Sequence, residues 1–188
     1  MIKKWSFQAR TVFCISFFWL IFIILVRLLP HPAGSTPLFC TTLLLGLFFS
    51  RIQTILFGLF VFVFSDIILS GVYHFPMFGI WSFFTYSSFV VAFFLGAIFL
   101  NLFSLLNTFY AIISSTFLFW LLTNFGTWLS TTLYPKTMIG LFTCFIAGIP
   151  FLKNSLLGNL LWGMIIFSIL HFYNNKAIKI ISIATKEN

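Results

Sequence analysis

The sequence predicts an all-α fold, a polytopic membrane helix bundle of about six transmembrane helices with both termini on the cytoplasmic side. Three observations carry this prediction: the scarcity of charge, the length of the apolar runs and the position of the basic residues. Only 6% of the 188 residues are charged and 61% are hydrophobic, whereas about a quarter of the residues in a soluble domain are charged. Such a chain cannot cover a surface that faces water, so it needs lipid as its outer solvent.

Six apolar runs account for the chain as a single transmembrane domain. A spanning helix needs about 20 apolar residues, and the breaks between the runs contain proline, glycine or polar residues. Pro30 and Pro32 end the first run, while Pro37 suits the first turn of the second. The predicted spans are residues 12–29, 37–50, 54–69, 81–100, 109–129 and 150–173, followed by a basic cytoplasmic tail at 174–188.

Residues 138–149 form an apolar run that is too short to span comfortably. Gly148 and Pro150 separate this run from the last span, which leaves two interpretations: a re-entrant or interfacial segment, or a seventh, broken span. An even number of spans keeps both basic termini on one side of the membrane, and this favours the re-entrant segment. Irregular backbone at membrane depth is buried in protein or lines a cavity, so such a segment predicts a site nearby.

The net charge of +8 has a topological explanation. Basic residues near the ends of spans mark the cytoplasmic side, and no basic patch alternates with surface aromatics as in nucleic-acid-binding proteins. We therefore expect no nucleic acid as a partner. The basic residues that flank the first and last runs are Lys3, Lys4, Arg10, Lys176, Lys179 and Lys186.

The sequence also lacks the signatures of enzymes and cofactor sites. No zinc-protease, serine-hydrolase, phosphate-loop or dinucleotide motif occurs, and Cys14, Cys40 and Cys144 have no metal-ligand spacing. Only one acid lies within the spans, so chemistry with paired carboxylates is excluded. We predict no enzymatic activity, no cofactor and no metal. A membrane hydrolase with serine and histidine stays open, because such residues need not be close in sequence.

Asp66 is the most informative position, because it is an acid inside an otherwise apolar run. A charge at the centre of a span costs about 2.5–3.5 kcal/mol on insertion scales, and ionisable residues inside membranes are by default functional candidates. Arg27, near the predicted outer end of the first span, is its natural partner. Two interpretations remain: an ion pair that locks two helices, and a polar contact to a ligand near the outer face.

Other polar residues fall in the same predicted outer half and are candidate substrate-binding residues. Asn124 and Trp128 lie one helical turn apart, on one face of the fifth span. Each of them also suits a structural role, as an interhelical hydrogen bond or an interfacial anchor. The candidate set is Arg27, His31, Asp66, His74, Asn124, Trp128 and Asn159.

Several short motifs resemble an uncharacterised family of small bacterial membrane proteins, which is similar to the substrate-binding (S) components of energy-coupling factor (ECF) vitamin transporters. The resemblance covers most of the chain through short motifs. They are Arg27-Leu-Leu-Pro-His-Pro, Ser65-Asp66, Thr123-Asn124-Phe-Gly-Thr-Trp128, Tyr134-Pro-Lys-Thr, Gly140-Leu-Phe-Thr-Cys144 and Gly148-Ile-Pro-Phe151.

The resemblance implies six helices, a pocket for a vitamin-like compound near the outer face, and docking on a shared transmembrane subunit with two ATPases. It also implies the cytoplasmic (inner) membrane of a bacterium. Gly126-Thr-Trp128-Leu129 and Pro150-Phe-Leu152 are similar to stretches of biotin-type S components, but the Asp and Lys of that pattern are absent, which argues against biotin. The first span lacks the alanine stripe that S components use for docking. Two possibilities therefore stay open: the protein docks on the shared module, or it functions alone.

The leading hypothesis is therefore an uptake protein that binds a small vitamin-like or polar nutrient near the outer face, with the lipid bilayer and the small-molecule substrate as partners. Two alternatives come from other classes: a structural or assembly membrane protein without a ligand, and a membrane-embedded enzyme. A hollow lined by the polar residues of the predicted outer half would favour the first hypothesis over the second.

Overall fold

The computed structural model describes residues 9–29, 35, 37–46, 50–74, 76, 78–100 and 104–184, and this part of the chain is helical, without strands. The predicted all-α membrane bundle is thus confirmed. The six helices are α1 (Ala9–Leu28), α2 (Leu38–Leu45), α3 (Arg51–Tyr73), α4 (Ile80–Phe99), α5 (Leu105–Ser130) and α6 (Met138–Ala184).

The outward surface of the bundle is apolar. Large side chains such as Phe18, Phe83 and Ile139 are 70–80% exposed, and no water-facing protein could leave so many of them uncovered. Four helices, α3 to α6, are long and apolar enough to cross a bilayer, and α1 contributes a shorter apolar segment at 18–28 within the residues searched. The chain is therefore a multi-pass membrane protein.

Successive helices run in opposite directions. α1 and α3 are parallel, because Arg27 pairs with Asp66 and the Leu28 carbonyl accepts from Tyr73, 3.2 Å away. α4 is antiparallel to α3, α5 to α4, and α6 to α5, as the contacts described below show. The start of α1 and the end of α6 therefore lie at the same end of the bundle, as predicted. We call the opposite end, which holds Arg27 and Asp66, the predicted outer end.

Serine side chains define where two helices begin. Ser50 accepts a hydrogen bond from the Gln53 backbone at 3.3 Å, and Ser104 accepts one from the Asn107 backbone at 3.2 Å. Each satisfies a backbone N–H that has no partner inside the helix, as N-cap residues do. The caps extend α3 and α5 three or four residues beyond the predicted spans, into segments whose polar side chains had indicated breaks.

α2 corrects the prediction of a span at 37–50. The helix has eight residues, which at 1.5 Å per residue gives about 12 Å, less than half the hydrocarbon thickness of a bilayer. Pro37 begins its first turn, and the Gly46 N–H closes its last turn on the Thr42 carbonyl at 3.3 Å. The prediction failed because an apolar run has the same composition whether it faces lipid or protein.

α2 lies inside the bundle rather than at its surface. Every residue from Pro37 to Leu43 is buried. The hydroxyl groups of Thr41 and Thr42 donate to carbonyls of the preceding turn at 2.6 and 2.7 Å, so they bring no unsatisfied donor into the core.

Glycines on the surrounding helices allow this close packing. A side chain at Gly58 of α3 would overlap Thr42, and a methyl group at Gly96 of α4 would lie 2.8 Å from Leu43. Small residues at such contacts let helix backbones approach closely in membranes. The enclosure of α2 is therefore encoded on its neighbours as well as in its own sequence.

α6 corrects the predicted separate segment at 138–149. Met138–Ala184 is one helix of 47 residues with Pro150 inside it, about 70 Å long at 1.5 Å per residue. Proline removes one backbone donor, but helices in membranes tolerate this because neighbouring groups re-satisfy the backbone. The apolar run before Pro150 is thus the first part of the last helix and not a re-entrant segment.

We expect Gly58→Ala to destabilise the protein, because the added methyl group would overlap Thr42. The cost of such overpacking is about 1–3 kcal/mol, visible as a lower midpoint of thermal unfolding in detergent. Gly71→Ala, on the same helix with no atom within 4 Å of the added methyl group, is the matched control and should unfold no earlier than wild type. Equal midpoints for both variants would show that α2 is not enclosed as described.

Candidate functional site

Arg27 and Asp66 form an ion pair between α1 and α3, as the sequence predicted. Arg27 Nη2 lies 2.6 Å from Asp66 Oδ1, and both side chains are mostly buried. Tyr86 of α4 donates to the second carboxylate oxygen at 2.8 Å. Three helices therefore meet on one carboxylate near the predicted outer end.

Arg27 makes further contacts within the protein. Its Nη1 donates to the Ser65 hydroxyl and, at 3.4 Å, to the Phe62 carbonyl. Its guanidinium carbon also lies 5.1 Å from the centre of the Phe62 ring. The guanidinium thus has a counter-charge and two further hydrogen-bond acceptors on α3. The geometry favours the structural interpretation of Asp66 over ligand contact.

The candidate histidine that the structure describes, His74, does not join this cluster. His74 is exposed and ends α3 with a left-handed backbone (φ 53°), its N–H closing on the Ser70 carbonyl at 2.9 Å. It lies eight residues beyond Asp66, about 12 Å along the helix axis. His31 lies outside the described residues. Within the part of the chain that the structure describes, no three His, Cys, Asp or Glu side chains come close enough to hold a metal ion.

A second polar region, a cavity of about 340 Å³, lies between α5 and α6. It is at the same end of the bundle, because Phe84 of α4, near Tyr86, packs on Phe125 of α5 with ring centres 6.3 Å apart. The cavity is lined by Phe119, Trp120, Thr123, Asn124, Thr127, Tyr134, Cys144, Ala147, Gly148, Phe151 and Ser155.

Helical periodicity brings these residues together. Residues 119, 120, 123, 124 and 127 recur at three- and four-residue intervals and so share one face of α5. Residues 144, 147, 148, 151 and 155 do the same on α6. The two antiparallel faces are joined where Trp120 Nε1 donates to the Gly148 carbonyl at 2.8 Å and Cys144 donates to the Asn124 carbonyl at 3.4 Å.

The absence of a side chain at Gly148 allows α5 and α6 to pack closely at the cavity. A side chain at this position would overlap Asn124 and would lie 2.9 Å from Trp120 Nε1. Trp120 also contacts Phe117 and Phe145, with ring centres 5.6 and 5.3 Å away. The indole is therefore fixed in place, and the wall that it forms is preorganised.

Trp128 lies above the cavity instead of lining it. Its Nε1 donates to the Pro135 carbonyl at 2.9 Å, and Lys136 donates to the carbonyls of Trp128 and Thr131. Lys136 Nζ also lies 5.6 Å from the centre of the Trp128 ring. These contacts fold the α5–α6 loop over the cavity and place Tyr134 in its wall. Trp128 is thus a positioning residue.

Asn159 lies below the cavity, one turn past Ser155 towards the predicted inner side. It is buried, and its Nδ2 donates to the Thr116 hydroxyl at 3.1 Å. Its Oδ1 accepts no hydrogen bond from the described residues. The Asn159–Thr116 pair ties α5 to α6 at the level where the cavity ends.

The structure thus divides the candidate residues between two places. Arg27 and Asp66 belong to the ion-pair cluster, whereas Asn124, with Trp128 above and Asn159 below, belongs to the α5–α6 cavity. Sequence reasoning missed Trp120, Gly148 and Ser155. Trp120 could have been found, because it precedes Asn124 by one turn on the same helical face. Gly148 had been interpreted as part of a break.

Comparison with known proteins identifies a family. The profile of a family of unknown function (DUF6580) matches residues 7–181, almost the whole chain. The protein belongs to this family. Neither the comparison with curated proteins nor that with solved structures gives a match. In this DUF6580 protein, the matched region includes both the ion-pair cluster and the cavity.

We expect Asp66→Asn to act on stability. The amide weakens the bond to Arg27 and leaves the guanidinium without a counter-charge, which costs about 1.5–3 kcal/mol. Tyr86→Phe removes one hydrogen bond to the same carboxylate and should cost about 1 kcal/mol. Thermal unfolding of both variants in lipid nanodiscs checks these values.

A double-mutant cycle separates a specific pair from two independent residues. Arg27→Gln combined with Asp66→Asn should lose less stability than the sum of the single variants, by about 0.5–3 kcal/mol. The double variant leaves no unpaired charge. Strict additivity would contradict the assignment of Arg27 and Asp66 as one structural unit.

Proposed function

We propose that the protein is an integral membrane binding protein for the uptake of a small molecule, with the α5–α6 cavity as its binding site. The observation that carries the proposal is the cavity itself, a preorganised hollow at the predicted outer end. Small-molecule sites are concave, mostly apolar and supplied with a few polar groups that orient the ligand. The volume of about 340 Å³ falls at the lower end of their usual range.

The resemblance to S components of ECF transporters supports the same proposal. Six helices and a pocket near the outer face are what that resemblance implies. On this proposal, the protein captures a vitamin-like nutrient in the cytoplasmic membrane of a bacterium. Either an energising module of a transmembrane subunit and ATPases or the protein alone would complete transport.

The binding residues differ from those expected from the sequence. Asn124 remains a proposed ligand contact, and Trp120, Tyr134 and Ser155 join it. Arg27 and Asp66 instead fix α1, α3 and α4 around α2. In the proposal, the ion pair therefore supports the scaffold on which the cavity forms and does not itself meet the ligand.

The proposal is tested by extracting the purified protein and identifying retained small molecules by mass spectrometry. We expect one molecular species, close to one per chain, in wild type. Gly148→Leu fills the space between Asn124 and Trp120, so this variant should retain at least about tenfold less, a difference of about 1.4 kcal/mol in binding.

Gly71→Leu is the matched control, since Gly71 lies outside the cavity lining and no atom lies within 4 Å of a Cβ added there. It should retain the molecule at the level of wild type. Asp66→Asn should also retain it, in those molecules that remain folded. If wild type and Gly148→Leu retain the same amount, or wild type retains only lipid, the cavity is not a binding site and the structural or assembly role is favoured.

A further inference from the structure

The α5–α6 cavity carries information about the chemical class of its occupant. Its lining includes no charged side chain among the described residues. The nearest cations in sequence are Lys136 and Lys153, each two residues from a lining residue. Lys136 already donates to two carbonyls and lies over the Trp128 ring. Lys153 is exposed, and a residue two positions from both Phe151 and Ser155 lies on the opposite face of α6. A charged ligand would lose its hydration without gaining a counter-charge, which is expensive at membrane depth. The occupant is therefore neutral.

Aromatic side chains form much of the cavity wall. Phe119, Trp120, Tyr134 and Phe151 all line it, and Trp120 is fixed by its hydrogen bond to Gly148 and by two ring contacts. Rigid aromatic faces favour flat partners, which they can meet by offset stacking or edge-to-face contact. A planar ring gains more from this wall than a saturated one of equal volume.

The polar side chains of the cavity differ in how far their hydrogen-bonding groups are used. Thr123 and Thr127 donate to carbonyls of their own helix at 2.8 and 3.0 Å. Tyr134 and Ser155 make no hydrogen bond through their hydroxyl groups within the described structure. The free hydroxyl groups can donate or accept, so they tolerate either kind of group on a ligand.

Asn124 imposes a specific requirement. Its Nδ2 donates to the Trp120 carbonyl at 2.8 Å, which fixes the orientation of the amide, because Oδ1 in that position would face another acceptor. Oδ1 accepts no hydrogen bond from the described residues and lies beside Gly148. A carbonyl oxygen can only accept, so the ligand has to bring an N–H or O–H donor.

From these observations we infer that the cavity takes a neutral, planar, ring-containing molecule that donates a hydrogen bond to Asn124 Oδ1. This inference rests on the proposed function and narrows its substrate class. The walls are apolar and aromatic, the one fixed polar group is an acceptor, and the volume suits one small ring system with its substituents.

Five one-ring probes of matched size test the inference: benzamide, acetophenone, cyclohexanecarboxamide, benzoate and benzylammonium. Binding to the protein in lipid nanodiscs is measured by ligand-observed saturation-transfer NMR, with empty nanodiscs subtracted. Benzamide should bind wild type at least about tenfold more tightly than each of the other four. Acetophenone lacks the donor, and a site built to bond a donor rejects analogues that lack it. Benzoate and benzylammonium are charged, which the neutral lining disfavours, and cyclohexanecarboxamide has the donor but no planar ring to stack on the aromatic wall.

Variants test whether Asn124 causes the preference for benzamide. Asn124→Leu keeps the branched shape of the side chain and removes the acceptor, so benzamide and acetophenone should bind this variant equally. Gly71→Ala, on α3 and outside the cavity lining, is the control and should preserve the preference for benzamide over acetophenone. The size-exclusion profiles of both variants should match wild type, and the comparison of the two probes on wild type still tests the inference if Asn124→Leu does not fold.

The outcomes distinguish a wrong ligand class from the absence of a binding site. Failure of benzamide to bind wild type, or equal binding of any of the other four probes, would overturn the inference. If a charged or saturated molecule nevertheless co-purifies with wild type and is lost in Gly148→Leu, the inference fails while the proposed function stands. If neither a probe nor a co-purified molecule occupies the cavity, both fail.

Discussion

The structure depends on the burial of one short helix. α2 has eight residues, and its described side chains are enclosed by α3, α4 and α6. A helix of this length has four N–H and four C=O groups without helical partners at its ends, and lipid cannot satisfy them. It is stable in the membrane only inside protein, where Pro37 supplies no N–H at the first turn and neighbouring helices exclude lipid. The longer helices therefore have to enclose α2.

α2 also connects the two polar regions of the bundle. Phe39 contacts Phe89 on one side and Phe119 on the other, with ring centres 5.3 and 6.2 Å apart. Phe89 in turn contacts Phe62, which packs against both Tyr86 and Arg27. Aromatic contacts thus run without interruption from the ion-pair cluster to the wall of the α5–α6 cavity. The helices that the ion pair joins are thus packed, through α2, against the helix that forms one wall of the uncharged α5–α6 cavity.

Much of the fold could be predicted from the sequence, because charge is so scarce that each apolar run is visible. The spans at α1, α3, α4 and α5 were predicted to within about four residues at each end. The partnership of Arg27 with Asp66 was also predicted, because one acid within the spans has few possible partners. The length of α2 and the continuity of α6 through Pro150 could not be predicted, since both depend on tertiary contacts that composition does not record.

The candidate site was predicted less well, and the reason is physical. Charged residues are conspicuous in an apolar sequence, yet here Arg27 and Asp66 pair with each other and do not line the cavity. The cavity is made instead by ordinary residues, such as Trp120, Gly148 and Ser155, whose role appears only when α5 and α6 meet. Of the candidate residues that the structure describes, Asn124 alone lies in the wall itself. In a bundle of this kind, a hydrogen-bond acceptor without a partner in an uncharged cavity indicates a binding site better than a paired charge does.

The most direct test of this account is an experimental structure of the wild-type protein in lipid nanodiscs, purified without added ligand. The account predicts α2 enclosed by α3, α4 and α6, and density for a compact molecule within hydrogen-bond distance of Asn124 Oδ1. A cavity closed by its own side chains or filled by an acyl chain would contradict the binding role, and an α2 that faces lipid would contradict the fold on which that role rests.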